Sequence, residues 1–350
     1  MSATSATKTL RSASALVEAR LIKPERLAAL QKVAARYAVA ITPTLIDLID
    51  PADAQDPIAL QFVPDAREIE LREEENADPI GDDTHTPVPG VVHRYPDRVL
   101  LKIVNACAVY CRFCFRREMV GPGRGALTGN GLAAALDYIA RTPDIWEVIL
   151  TGGDPLLLPP RRLKDVIGRL TAIEHVKVIR LHTRIPVVAP ERITPALVRA
   201  LRAGKATFMV LHANHARELT PAARVACARV IDAGIPMLSQ SVLLRGVNDD
   251  ADTLGALMRA LVECRIKPYY LHQGDLAPGT AHLRTSLTEG RDLMRALHGR
   301  YSGLCQPHYV LDIPGGHGKS PIGPVYLSAD GREITDFKGA RHAYPPRSPG

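Results

Sequence analysis

A chain of 350 residues, 46% hydrophobic and 23% charged, has the size and composition of a soluble globular protein built on one large domain with appendages. Its formal charge of +7 is spread along the chain, and aromatics make up only 5%. Basic stripes interleaved with aromatics are missing, which argues against nucleic acid as a partner; the positive excess suits phosphate- or carboxylate-bearing ligands, or plain solubility.

The start, "MSATSATKTLRSASALVEARLIKPERL", is Ser- and Ala-rich and basic without a continuous apolar segment, so it reads as a frayed terminus rather than a secretory signal. No run of eighteen apolar residues offers a membrane span. The expected location is cytoplasmic, where clustered thiols serve metals or catalysis more often than disulfides. "PERLAALQKVAARYAV" carries apolar residues at helical spacing, and "REIELREEENADPIGDDTHTPVPG" reads as an exposed connection. Residues 1–95 are therefore expected to form an N-terminal helical region and linker.

From Arg98 a regular alternation begins. "RVLLKIV" (98–104), "WEVILT" (146–151), "VKVIRLH" (176–182), "ATFMVLH" (206–212), "PMLSQSVLL" (236–244) and "KPYYLHQ" (267–273) read as buried strands, with helical patterns between them. After the first interval the strands start about thirty residues apart, the repeat of a β-α unit. Six units predict an α/β fold, a partial (βα)6 barrel over residues 96–305, followed by a short C-terminal extension over 306–350. An open doubly wound sheet is the rival, but no G-x-G-x-x-G follows the first strand. In such a barrel, active groups gather where strands end. The cysteines follow the first strand, "GGD" (152–154) the second, "HTR" (182–184) the third and "HANH" (212–215) the fourth. Gln240 sits on the fifth, "HQGD" (272–275) ends the sixth, and "HYVLDIPGGHGKSP" (308–321) brings one more loop to the same end.

Cys107, Cys111 and Cys114 stand as C-x3-C-x2-C. A structural zinc site wants four closed ligands, and the other cysteines are isolated; Cys227 and Cys264 fall in helical patterns as small buried residues. Three close cysteines suit a [4Fe–4S] cluster with one iron left open to a substrate or cofactor. The spacing is the signature of radical S-adenosylmethionine enzymes. By itself "GGD" is a simple turn; Lys319 in "PGGHGKSP" is either a Schiff-base lysine on a flexible glycine loop or an exposed loop lysine, and the two arginines of "HRYPDR" either phosphate contacts or a solvated basic face.

The similarity extends much further. "DPIGDDTHTPVPGVVHRYPDRVLL", "CAVYCRFCFRR", "LTGGDPLLL", "LHTRIPVVAPERIT", "QSVLLRGVND", "PYYLHQGDLAPGTAHLRT" and "DIPGGHGKSP" resemble the lysine 2,3-aminomutase family, in that family's order, over about residues 75 to 325. The resemblance implies a radical-SAM barrel carrying a [4Fe–4S] cluster, S-adenosyl-L-methionine and pyridoxal 5'-phosphate, with the α-amino group of free L-lysine moved to the β carbon. It gives Cys107, Cys111 and Cys114 to the cluster. Gly152, Gly153, Asp154 and Gln240 go to S-adenosylmethionine, and Lys319 to a Schiff base with pyridoxal phosphate. Arg94, Tyr95 and Arg98 are assigned to that cofactor's phosphate and ring, Arg116 to the substrate carboxylate, and Asp275 with Asp312 to the distal ammonium.

Two carboxylates in a dry site repel unless a cation lies between them, which favours lysine; arginine would also satisfy them. A flavodoxin- or ferredoxin-type electron donor is implied, and a homo-oligomer is compatible. The family's free-lysine enzymes bind zinc through a cysteine-rich tail and an internal cysteine. Here Asp250 takes the internal position and no cysteine follows Cys305, so no zinc site is expected. A tail-less chain leans towards the branch that makes β-lysine for elongation factor P, whereas "HQGDLAPGTAHLRT" leans towards the free-lysine enzymes. His317 stands where the family often has a third glycine. The alternatives are an aminomutase acting on another amino acid and a non-catalytic iron–sulfur protein.

Overall fold

The computed structural model describes residues 8–123, 126–127 and 129–346; the first seven residues of the expected frayed terminus lie outside them. From residue 8 the start is ordered. Helix α1 (Ala13–Glu18) begins where the Ser12 hydroxyl accepts from the Ala15 amide, and Leu16 is fully buried. Its core-facing Leu16 and its cap, short signals in a polar stretch, are what the reading of a frayed terminus overlooked.

Short helices α2 (Leu27–Arg36), α3 (Pro43–Ile46) and α4 (Pro57–Phe62) follow. Leu30, Val33, Leu45, Ile58 and Phe62 join the same apolar core as the strands. The acidic connection is not exposed throughout: Glu68 and Asp82 are completely buried. Both are neutralised by arginines distant in sequence, which composition alone does not reveal.

One nine-stranded sheet carries the molecule, its strands neighbouring one another in chain order from β1 to β9. They are β1 (Val91–Tyr95), β2 (Arg98–Val104), β3 (Glu147–Gly152), β4 (Val178–Thr183), β5 (Ala206–His212), β6 (Met237–Val242), β7 (Ile266–His272), β8 (His308–Ile313) and β9 (Gly318–Pro321). Strands β2 to β8 are parallel, and β1 and β9 are antiparallel at the two edges. The sheet curls into a nearly closed partial barrel. The seventh apolar run is not a strand and a loop but the hairpin β8–β9.

Parallel neighbours need long crossovers. These are α5 (Gly129–Ala140), α6 (Pro160–Thr171), a single turn α7 (Ile185–Val188) with α8 (Pro195–Leu201), α9 (Pro221–Asp232), α10 (Ala251–Glu263) and α11 (Leu287–Leu297). Proline opens α4, α6, α8 and α9, where its missing N–H costs no intrahelical bond. Each long crossover helix turns a buried stripe inward, such as Leu163, Val166, Ile167 and Leu170 on α6. Every parallel strand therefore ends at the same mouth. A small hairpin, β10 (Glu333–Thr335) and β11 (Arg341–Ala343), lies apart from this sheet.

Candidate active site

A cavity of about 740 Å³ runs along the barrel axis, and all fourteen residues singled out from the sequence line it. Strand ends supply the upper part; Arg98, Glu147 and His308, each the first residue of its strand, reach the lower part.

The cysteine loop leaves β2 and is fastened from below. The Arg112 amide donates to Gln61 O at 2.8 Å, and the Arg112 and Arg117 guanidiniums both bind the fully buried Glu68. Arg117 also lies 3.6 Å from the Tyr37 ring centre. Cys107, Cys111 and Cys114 all line the cavity and none is in a disulfide. Burial pushes the three thiols up, Cys111 to about 11, and for Cys107 repulsion from the other two adds to it. Thiolates are stable here only beside added positive charge, as an iron–sulfur cluster supplies. Among the described residues no three His, Cys, Asp or Glu side chains form a group suited to a single metal ion. Arg184 donates to Cys111 Sγ at 3.7 Å, and its other nitrogen binds Gln61 at 2.7 Å and Glu218 at 2.6 Å.

The glycines of "GGD" are required by backbone, for a reason the sequence did not suggest. A Cβ on Gly152 would lie 2.3 Å from Val104 O, and one on Gly153 2.1 Å from Ala106 O. The loop after β3 therefore packs directly on the chain entering the cysteine loop. Asp154 turns to protein: it accepts from Thr183 Oγ1 at 2.8 Å, Arg184 N at 2.7 Å and Leu156 N at 3.0 Å. With its own amide donating to Ala106 O at 3.0 Å, it joins the loops after β2, β3 and β4. Gln240 meets His272, Nε2 to Nε2, at 3.1 Å.

Arg94 and Arg116 converge on one carboxylate. Asp82 accepts from Arg94 Nη2 at 3.2 Å and from Arg116 Nε and Nη2 at 3.0 and 2.9 Å. Despite its burial, Arg116 and Lys102 hold Asp82 below the ordinary carboxylate range. Two arginines around one aspartate leave a net positive patch for anions. Asp82 had no local signal, standing among other acids.

Lys319 on β9 faces Asp312 on β8 in register. Its ammonium binds Asp312 and lies 3.3 Å from His272 Nδ1, and its amide donates to Tyr95 Oη at 2.6 Å. The His272 hydrogen bond and the Lys319 charge outweigh burial and hold Asp312 well below the usual range. Asp275 behaves in the opposite way. Its Oδ1 has no hydrogen-bond partner, and burial, reinforced by Asp312, pushes its carboxyl up to about 7. Arg98 sits 3.8 Å from the Tyr95 ring centre and pairs with Asp97 at 2.6 Å. His317 is exposed at the hairpin turn and lines neither this cavity nor its neighbour.

Three histidines lacked individual roles in the sequence reading. His182, His212 and His272 line the cavity, and burial lowers all three, His212 to about 3. They are neutral donors or acceptors rather than charges. The signal was present: Leu–His recurs at 181–182, 211–212 and 271–272, each at a strand end.

A partial barrel with a three-cysteine loop after its first parallel strand is the arrangement of the radical S-adenosylmethionine enzymes, and residues 101–257 match the Radical SAM superfamily. L-lysine 2,3-aminomutase of Clostridium subterminale is 41% identical over 309 residues, covering 87% of this chain and 74% of that one. The L-lysine 2,3-aminomutase of Fusobacterium nucleatum is 43% identical over 309 residues, 87% and 73% of the two chains. A glutamate 2,3-aminomutase of Clostridioides difficile is 36% identical over 304 residues, 87% and 72%. The chain belongs to the lysine 2,3-aminomutase family, whose enzymes are isomerases of the intramolecular aminotransferase kind. Membership implies a [4Fe–4S] cluster and S-adenosylmethionine. No helix among the described residues is long and apolar enough to cross a membrane.

Proposed function

We propose that the protein converts free L-lysine to β-lysine by a 2,3-amino shift. The observation that carries this reading is one cavity holding a net-positive arginine pair, a lysine on a glycine hairpin, and two carboxylates, of which Asp275 has an oxygen without a partner. Cys107, Cys111 and Cys114 would hold the cluster, and the barrel core below the mouth, with Arg94, Tyr95, Arg98 and Lys319, would hold pyridoxal phosphate. When bound, the cluster with S-adenosylmethionine supplies a hydrogen-abstracting radical, and pyridoxal phosphate a carrier for the migrating nitrogen.

This chain's own residues provide grip and order. Residues 96–305 form the radical-generating body, and 306–350 bring the carrier lysine. Arg116, fixed by Asp82, presents donors to the substrate carboxylate. Asp275 and Asp312 receive the distal ammonium, which relieves their mutual repulsion. The same pair would repel the distal carboxylate of glutamate, the substrate in the name of the Clostridioides difficile relative. Neutral His182, His212 and His272 place hydrogen-bonding groups in the cavity without adding charge. Delivery of β-lysine to elongation factor P is the finer reading. It predicts that the product serves that factor's modification in a reconstituted reaction.

The test is anaerobic. Protein reconstituted with iron and sulfide receives S-adenosylmethionine, pyridoxal phosphate and reductant, and β-lysine is sought from L-lysine by mass spectrometry. Product lost on Cys111→Ala and on Lys319→Ala supports the assignment. An intact cluster and bound pyridoxal phosphate without product would reject lysine as substrate.

A further inference from the structure

Lys319 must lose a proton before its nitrogen can attack a carbonyl carbon, because an ammonium has no free electron pair. Among the described residues that ammonium has two side-chain partners, Asp312 and, at 3.3 Å, His272 Nδ1. Asp312 is a poor acceptor, since its own contacts hold it well below the usual carboxylate range. Asp275 titrates near 7 but makes no hydrogen bond to Lys319. The Tyr270 ring centre lies 5.6 Å from Lys319 Nζ, but its hydroxyl is engaged by Tyr269 at 2.8 Å and burial raises it further.

His272 remains. It is neutral at rest, because burial and then the Lys319 charge lower it. Three contacts fix the ring. Nδ1 lies 3.5 Å from Asp312 Oδ2, Nε2 meets Gln240 Nε2 at 3.1 Å, and Tyr270 stands edge-on with ring centres 5.6 Å apart. His182 and His212, the other titratable groups that act on it, are also neutral. The His272 and Lys319 side chains line the cavity and are 15% and 21% exposed, so neither is sealed from a ligand there.

We infer that His272 carries the proton of Lys319 while that lysine joins pyridoxal phosphate. This rests on the reading that gives Lys319 to that cofactor. Nδ1 takes a proton from the ammonium: one N–H bond breaks and another forms, leaving an imidazolium beside the Asp312 carboxylate. The freed electron pair attacks the aldehyde carbon, and a proton moves from the nitrogen to the oxygen. The imidazolium then returns its proton to the departing hydroxyl. Water leaves, an N=C bond replaces C=O, and His272 is neutral again. The Gln240 amide, with a donor and an acceptor end, satisfies Nε2 in either protonation state. Throughout, a cation stays against Asp312 and no proton passes to solvent. The reactive arrangement, amine neutral and imidazole charged, therefore keeps a constant population between the titrations of the two groups, and the joining rate is level with pH there. Without the imidazole the proton must go to solvent, and the rate climbs about tenfold per pH unit towards the ordinary lysine value of about 10.4.

The test mixes cluster-loaded protein, freed of pyridoxal phosphate, with that cofactor and times the growth of the protein-bound absorption band across neutral and alkaline pH. Wild type should give a level profile. His272→Gln can still accept a hydrogen bond from Lys319 but not its proton. It should be about a hundredfold slower at neutral pH and recover as pH rises, with the final band unchanged. Should it not fold, His272→Ala provides the same check, its rate rising with added imidazole. A variant as fast as wild type, or one slowed equally at every pH, overturns the proposal. Borohydride reduction and peptide mass spectrometry locate the joined residue. No cofactor fixed on Lys319 in wild type would defeat the reading beneath, and this proposal with it.

Discussion

Asp275 and Asp312 have the same side chain and opposite behaviour. Asp312 is paired with Lys319 and hydrogen-bonded to His272, whereas Asp275 is buried with one oxygen unpartnered and titrates near 7. Since kcat/KM reports the free enzyme, its value for lysine should rise with pH up to about 7 as Asp275 ionises. Asp275→Asn should remove that limb and lower kcat/KM roughly a hundredfold or more, the loss of a buried charge partner worth about 3–5 kcal/mol. Stability has the reverse sign. Between the ordinary carboxyl value, about 4, and the folded value the native chain holds a proton that the unfolded chain has released. Asp275 therefore makes the fold less stable as pH rises through that window. Thermal melts should show Asp275→Asn raising Tm at pH 8 and leaving it unchanged below pH 4; a shift of equal size at both would contradict the assignment.

At the scale of elements, the β8–β9 hairpin sets where Lys319 stands. Gly315, Gly316 and Gly318 have φ of 85°, 88° and 90°, a left-handed conformation that other residues adopt at a cost of about 1–3 kcal/mol. A Cβ on Gly316 would also lie 2.8 Å from His85 Nε2. Gly316→Ala should weaken pyridoxal phosphate binding, measured by absorbance titration, and lower Tm. His317 is not among the left-handed positions, so no third glycine is needed there. Changing it to glycine should move stability by no more than about 0.5 kcal/mol.

The hairpin also shows what the sequence could disclose. Apolar runs and their spacing located the first six parallel strands to within about two residues, and a helix in each of the five crossovers between them, because a buried strand between amphipathic helices is a local pattern. The antiparallel edges β1 and β9 have no such pattern. Their pairing depends on neighbours brought together by folding. The site divides in the same way. Cysteine spacing and the family motifs marked the fourteen cavity residues, while Asp82, Glu68 and Gln61 act as counter-charges and struts for groups far away in the chain. Partnership at that distance leaves no trace in a single sequence.

Across the whole molecule, the N-terminal segment is part of the machinery's frame. Glu68 binds Arg112 and Arg117 of the cysteine loop, and all three side chains are nearly inaccessible. Glu68→Gln should leave two buried guanidiniums without a counter-charge and cost about 3–5 kcal/mol. Iron retained per chain after reconstitution should fall with it; full iron at an unchanged Tm would show that the loop holds itself. A different consequence follows from the free edges of the sheet. Strands β1 and β9 share no ladder of hydrogen bonds, and they are joined by Tyr95 to the Lys319 amide and, just beyond, by His85 to Gly316 O at 2.9 Å. Such a seam works as a latch with two catches. The cylinder therefore closes along this side on individual side-chain contacts, while every strand pairing of the sheet lies elsewhere.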